Sequence, residues 1–125
     1  MWDTAIIQRS IKLQYNSSQQ DFQQHIENSS VTKDNIKLWS KCPKIVTSTK
    51  ACHSEWAEES FDDALEYAYG DEHGNEVEDG AHLSEKYYET RLDVVERRLA
   101  AGGVRLAATL EAMFGVDEKV SEMFF

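Results

Sequence analysis

The clearest pattern in the chain is a series of apolar residues at helical spacing between residues 84 and 114. Successive apolar positions lie three or four residues apart, which is the spacing of one face of an α-helix. Ser84 is suited to cap the first turn, and Gly115 is suited to end the last one. The face that we expect to be buried consists of Tyr88, Leu92, Val95, Leu99, Leu106, Leu110 and Met113. The pattern therefore predicts one long amphipathic helix over residues 84–114.

Two glycines, Gly102 and Gly103, interrupt this helix where another apolar residue would be due. Each glycine weakens a helix interior by about 1 kcal/mol relative to alanine. Close contact with the backbone of another element would explain both glycines, and a kink is the alternative. We expect close packing at this point.

Shorter helices are predicted upstream of the long one. One or two helical turns are indicated at the start by Trp2, Ile6 and Ile7. A second helix is indicated by Phe22 and Ile26, which would form its buried side. A third helix over residues 33–40 is indicated by Ile36 and Trp39. A fourth helix begins at Ser54, and its expected inward residues are Ala57, Phe61, Ala64, Leu65 and Ala68. An acidic loop follows over residues 70–81. With one proline and six glycines in 125 residues, the chain is predicted to be all-α.

Charge is divided unevenly along the chain. The net charge is −10; residues 1–53 carry 7 Lys or Arg and 4 Asp or Glu, whereas residues 54–125 carry 6 and 19. Such an acidic second half argues against binding nucleic acid through basic side chains. If the chain handles phosphates, metal ions are the candidate source of positive charge.

The sequence shows no targeting or membrane signal. No stretch approaches 18 consecutive apolar residues, so we expect no transmembrane helix. The first residues do not combine a basic region with an apolar one, so they do not resemble a signal peptide.

Several residue types suggest sites without deciding them. Cys42 and Cys52 could form a disulfide or remain two reduced thiols, and the residues alone leave both open. Asn16 and Asn28 each begin a glycosylation acceptor triplet, a pattern that also arises by chance. The four histidines are not spaced as a metal cluster, and the acidic loop does not match an EF-hand.

Three segments in order carry a family resemblance. Trp2-Asp3-Thr4 opens the chain, Trp56-Ala57-Glu58-Glu59-Ser60 lies in the fourth helix, and Tyr87-Tyr88 with residues 94–108 fills the long helix. Together they resemble the C-terminal part of the zinc-dependent single-strand nucleases of fungi and plants and the 3'-nucleotidases of protozoa. These proteins form the S1/P1 nuclease family, which is related in fold to bacterial zinc-dependent phospholipase C. The resemblance covers about residues 2–115.

The resemblance implies a multi-helix, phospholipase C-like fold of which residues 1–115 are the C-terminal part, with residues 116–125 as a tail. The family's site is a three-zinc cluster, and Asp3 matches one aspartate ligand of a motif whose histidine falls before Met1. The other ligands lie upstream in the family. We therefore expect the chain to be incomplete, its Met1 being an internal methionine of a longer protein, and to be inactive by itself.

The resemblance also implies hydrolysis of phosphodiester bonds in single-stranded DNA and RNA and of 3'-phosphomonoesters, with zinc ions supplying the positive charge. It favours the Cys42–Cys52 disulfide, a secreted or lumenal location and glycosylation at Asn16 and Asn28.

Plant relatives often carry a further cysteine near Leu65, so the disulfide pattern departs from theirs. Trp56 and the Glu59-Ser60 pair are expected to be structural. The alternative function is a non-catalytic helical interaction module. The oligomeric state is left open.

Overall fold

Helices form almost all of the regular structure. The computed structural model describes residues 2–41 and 52–115. Within these ranges the helices are α1 (Ala5–Gln14), α2 (Gln19–Ser30), α3 (Lys33–Trp39), α4 (Cys52–Asp63) and α5 (Glu85–Phe114), and a π-helical turn, Ala64–Ala68, continues α4. No strand occurs in the described ranges, where an isolated β-bridge joins Gly70 and Glu76. The all-α prediction is confirmed.

The long helix α5 is the element on which the others pack. Helices α1, α2 and α3 and the π-helical turn all contact it. The Ser84 side chain accepts a hydrogen bond from the Tyr87 backbone N–H at 3.1 Å, and Gly115 has a φ of +59°. The predicted helix and both of its end signals are therefore confirmed.

Two apolar clusters hold α1, α2 and α3 against α5. The first cluster joins Phe22, Ile26 and Trp39 to Ala100, Ala101 and Val104. The second joins Ile6 of α1 to Leu92 and Val95, with Trp2, Ile7 and Tyr88 packed around it. Each of the first three helices thus buries its apolar side, and α1 is a full ten residues, longer than the one or two turns predicted.

Helix α4 is attached to α5 mainly through polar contacts. Glu59 accepts a hydrogen bond from the buried Arg105 at 2.6 Å and also pairs with Arg98, while Asp63 pairs with Arg97 at 3.3 Å. The prediction that Phe61 and Leu65 face inward is wrong, because they are 62% and 54% exposed. The arginines of α5 draw the acidic side of α4 inward instead, and the apolar pair is turned outward.

The predicted buried face of α5 divides into two parts. Leu92 and Val95 are buried, whereas Leu99, Leu106, Leu110 and Met113 are exposed. The expected close packing at Gly102 and Gly103 is wrong for the described residues, because a Cβ at either position would meet nothing within 4 Å. The helix α5 continues without interruption from Glu85 to Phe114 through this glycine pair.

Candidate functional site

The segment that carries Asp3 is fixed to α5 by its neighbour Trp2. The Trp2 indole Nε1 donates a hydrogen bond to the Tyr87 hydroxyl at 3.0 Å, and that hydroxyl donates to the Ala68 carbonyl oxygen at 3.1 Å. Tyr87 is 2% exposed. A buried hydroxyl thus joins the turn before α1, the π-helical turn and α5 at one point, and it holds the backbone beside Asp3 in place.

Arg91 strengthens the same junction from the other side of Tyr87. Its Nε donates to the Tyr67 carbonyl at 2.8 Å, and an Nη donates to the Gly70 carbonyl at 2.7 Å and the Asp71 carbonyl at 3.1 Å. The guanidinium carbon lies 4.8 Å from the centre of the Tyr87 ring. A cation at the C-terminal end of a helix satisfies its last carbonyls and complements its dipole, so Arg91 fixes the end of the α4 extension.

Asp3 itself lies in the turn that precedes α1, with an exposed side chain. A carboxylate oxygen is an ordinary zinc ligand. Within residues 2–41 and 52–115, however, no group of three or more His, Cys, Asp or Glu residues is placed to hold a metal ion. The described part of the chain therefore offers Asp3 as a single candidate ligand on a well-fixed turn.

The other titratable candidates lie elsewhere and serve local structure. In the acidic loop, an Asp71 carboxylate oxygen accepts hydrogen bonds from the backbone N–H groups of His73 and Asn75, at 2.8 and 2.7 Å. The Asn75 backbone bond is the main cause that lowers the Asp71 pKa. His25 lies 3.4 Å from Glu96, at the contact between α2 and α5. The sequence did not predict either role.

The fourth-helix motif contacts α5 rather than an open cleft. The Arg105 guanidinium carbon lies 5.2 Å from the centre of the Trp56 ring and is also bound by Glu59. Burial of Glu59 acts to raise its pKa, but the hydrogen bond from Arg105 and the charges of Arg105 and Arg98 outweigh it and lower the pKa. Ser60 accepts a hydrogen bond from Arg98. The motif therefore works as a connection between helices, as expected for a structural role.

The remaining predicted positions lie on the surface or outside the described residues. Asn16 is exposed in the turn between α1 and α2 and has a φ of +50°. Asn28 is also exposed and lies in the last turn of α2. Cys52 is buried at the start of α4, whereas Cys42 and the tail 116–125 lie outside the described residues, so the disulfide stays a prediction.

Sequence reasoning missed the side chains that join the Asp3 turn and α4 to α5. Tyr87 was recognised only as part of a motif, and Arg91 and Arg105 were not singled out. Arg91 contacts residues 20 to 24 positions away, and Arg105 contacts one 46 positions away. A basic residue repeated on one face of a predicted helix, at positions 91, 98 and 105, is the signal that could have indicated an acidic neighbour.

Comparison with known proteins identifies the type of domain. A family model described as S1/P1 Nuclease matches residues 1–115. Among curated proteins of Arabidopsis thaliana, Endonuclease 5 is 36% identical over 97% of this chain, Endonuclease 3 is 34% identical over 97%, and Endonuclease 4 is 35% identical over 95%. No solved structure matches.

The matched region is only part of each relative. The chain spans 39% of Endonuclease 5, 39% of Endonuclease 3 and 38% of Endonuclease 4. Most of the length of these proteins therefore has no counterpart in it. No helix in residues 2–41 or 52–115 is long and apolar enough to cross a membrane.

Proposed function

The chain belongs to the S1/P1 nuclease family, and from this membership we propose that it is the C-terminal part of a zinc-dependent endonuclease and 3'-nucleotidase. The observation that carries the proposal is the family match over residues 1–115. The three relatives are all endonucleases, which agrees with the proposal. The substrates would be single-stranded DNA and RNA and 3'-nucleotides.

The role of Asp3 in this proposal is that of one zinc ligand. Its carboxylate is exposed and stands on a turn that Trp2 anchors to Tyr87 at 3.0 Å. These features suit a first ligand whose position is set by the scaffold behind it. The three-zinc cluster of the family would take its other ligands from the part of the domain that this chain does not span.

Charge supports a metal-based site over a basic one. The region from residue 54 onward carries 19 acidic and 6 basic residues, and the arginines at positions 91, 97, 98 and 105 are bound to carbonyls or carboxylates within the fold. When bound, zinc ions supply the positive charge that stabilises a reacting phosphate. This chain contributes the Asp3 carboxylate and the rigid junction beneath it.

The cellular setting follows the same proposal. We place the intact protein in the secretory lumen or outside the cell, where a Cys42–Cys52 disulfide would persist. Asn16 and Asn28, both exposed, would be its glycosylation sites.

Reconstitution with a relative tests the function. The chain is co-expressed with the part of Endonuclease 5 that does not align with it, and the product is assayed with zinc on single-stranded DNA and 3'-AMP. We expect zinc-dependent hydrolysis by the complex and none by the chain alone. Equal turnover by the chain alone would contradict its incompleteness, and a complex without hydrolysis would favour the non-catalytic interaction module.

Substitution of Asp3 tests its role as a ligand. Asp3→Asn should lower the zinc content of the complex, measured by mass spectrometry of the metal, and its activity by about tenfold or more. Asp79→Asn, at an exposed loop position, is the matched control and should change neither. Unchanged zinc content in Asp3→Asn would remove Asp3 from the site.

A further inference from the structure

The second half of α5 carries an exposed apolar stripe. Its members recur at steps of three, one, three, four and three residues and so lie on one face of the helix; they are Leu99, Gly102, Gly103, Leu106, Leu110 and Met113. Leu106 is 61% exposed and Met113 is 64% exposed. No charged residue interrupts this face, which is unusual for a helix surface in water.

The two glycines give the stripe a shape. A Cβ at Gly102 or Gly103 would meet no atom within 4 Å, so nothing in the described part of the chain requires glycine there. Glycine is a poor helix former, and its common use inside a helix is to admit another backbone closely. The pair therefore forms a notch between Leu99 and Leu106 that suits an incoming helix.

A groove continues the stripe toward the first three helices. It has a volume of about 670 Å³, and Leu99, Gly103 and Val104 line one wall while Ile7, Ile11 and Phe22 line the other. The groove and the stripe meet at Leu99 and Gly103. Together they provide one continuous apolar surface, large enough to receive side chains from a further element.

The length of the relatives indicates what covers this surface. The chain spans only 39% of Endonuclease 5, so most of a family domain is available to pack on it. In the first half of α5 the same face is already covered, because Trp2 and Ile6 pack on Leu92 and Val95. A further helix packed along the second half of this face would bury Leu106, Leu110 and Met113.

We propose that this stripe is the surface on which the remainder of the nuclease domain packs, through an apolar helix whose backbone lies against Gly102 and Gly103. The proposal rests on the proposed function, since it takes the occupant to be the portion of an S1/P1 nuclease that this chain does not span. It goes further in naming the contact surface and the notch that sets its geometry. A second copy of the chain is the competing occupant.

The test is capture of that remainder by the chain. Tagged chain is co-expressed with the part of Endonuclease 5 that does not align with it, and the complex is measured by size-exclusion chromatography with light scattering. Leu106→Asp should weaken the complex about tenfold or more, because it places a charge in the buried contact. Ala112→Asp adds the same charge at an exposed position on another face of α5 and should leave the complex unchanged. Gly103→Leu should also weaken it, while circular dichroism of the chain alone keeps its helical signal.

The other outcomes either overturn the proposed surface or show that the surface and the proposed function stand or fall separately. Absence of a complex with the unsubstituted chain overturns it, as does equal weakening by Leu106→Asp and Ala112→Asp. A dimer of the chain that Leu106→Asp dissociates, without effect on the complex, overturns it in favour of a second copy. A complex that follows the expected pattern but does not hydrolyse substrate leaves the surface standing and removes the function. An active complex that Leu106→Asp does not weaken supports the function and overturns the proposed surface.

Discussion

The two halves of α5 carry the same apolar face, yet among the described residues only the first half of that face is covered. Leu92 and Val95 are 8% and 4% exposed because Trp2 and Ile6 pack on them, whereas Leu106 and Met113, on the same face, are 61% and 64% exposed. Leucines of equal apolar area therefore contribute very differently to stability. The comparison shows that helical periodicity identifies which residues share a face but not which of them find a neighbour.

The difference also separates two tasks of the helix. The first half organises the turn that presents Asp3, through the contact of Trp2 with Tyr87. The second half holds α2 and α3 on one side through Ala100, Ala101 and Val104, and no element within residues 2–41 or 52–115 covers its Leu106 side. One helix thus contributes one face to the core of this unit and leaves a second apolar face exposed among the described residues.

The largest contrast is expected from removing one leucine in each half. Leu92→Ala should lower the free energy of unfolding by about 2–5 kcal/mol, because it leaves a cavity in a packed cluster. Leu106→Ala should change it by less than about 0.5 kcal/mol, because Leu106 is 61% exposed and lies outside both apolar clusters. Urea unfolding followed by circular dichroism measures both. Similar losses in the two variants would mean that the halves do not differ as described.

The next largest effect is expected at the contact between Glu59 of α4 and Arg105 of α5. Glu59→Gln should lower the free energy of unfolding by about 1–2 kcal/mol, because it weakens the pairing of the buried Arg105; the exposure of the Glu59 side chain, 46%, keeps the loss at the lower end. Glu58→Gln, at an exposed neighbouring position, is the control and should have little effect. Equal losses in the two variants would show that the Arg105 contact does not stabilise the fold.

The same contact predicts a pH dependence. The pKa of Glu59 is lower in the folded chain than its ordinary value of 4.5. Its stabilising contribution is therefore complete above that value and is lost as the pH falls through the folded pKa. Thermal unfolding should show a loss of stability below about pH 4.5 that is shallower in Glu59→Gln. Identical pH profiles for the two proteins would contradict this assignment.

A smaller effect is expected at the junction beside Asp3. Tyr87→Phe removes the hydroxyl that joins Trp2 to Ala68, and should cost about 1 kcal/mol. Hydrogen exchange of residues 2–6 should become faster, because the turn loses its anchor. Tyr69→Phe, at a residue that is 62% exposed, is the matched control. Faster exchange in neither variant would show that the hydroxyl does not fix the Asp3 turn.

The smallest effect is expected at Gly103, where one substitution should stabilise the isolated chain but weaken the complex. Gly103→Ala should stabilise the isolated chain by about 0.5–1 kcal/mol, because alanine is the better helix former and its methyl group meets nothing within 4 Å. The same substitution should weaken the complex with the remainder of Endonuclease 5. Stabilisation in both settings would mean that no backbone approaches the notch.

Local signals predicted the elements well, and long-range pairing limited the rest. The Ser84 cap and the Gly115 stop are properties of a few adjacent residues, so the bounds of α5 could be read from the sequence. The inward face of α4 could not, because it depends on Glu59 meeting Arg105, 46 residues away. Phe61 appeared buried from spacing alone and is exposed.

The candidate site was only partly predictable for a related reason. Asp3 was identified through its motif, and the family match agrees with that motif's family. The Tyr87 hydroxyl that fixes its turn lies 85 residues from Trp2, and no spacing rule connects them. The glycine pair predicted a close contact, but no described residue of another element lies within 4 Å of a Cβ placed at either glycine. Periodicity contains no information on whether a partner is present.

The most direct test of the central claim is hydrogen exchange along α5, measured for the chain alone and for its complex with the remainder of Endonuclease 5. We expect exchange over residues 106–113 to slow on complex formation, while residues 87–95, whose apolar side is already packed in the chain, change little. Unchanged exchange over residues 106–113 in a complex that forms would contradict the claim that the Leu106 side of α5 is where the nuclease domain is joined.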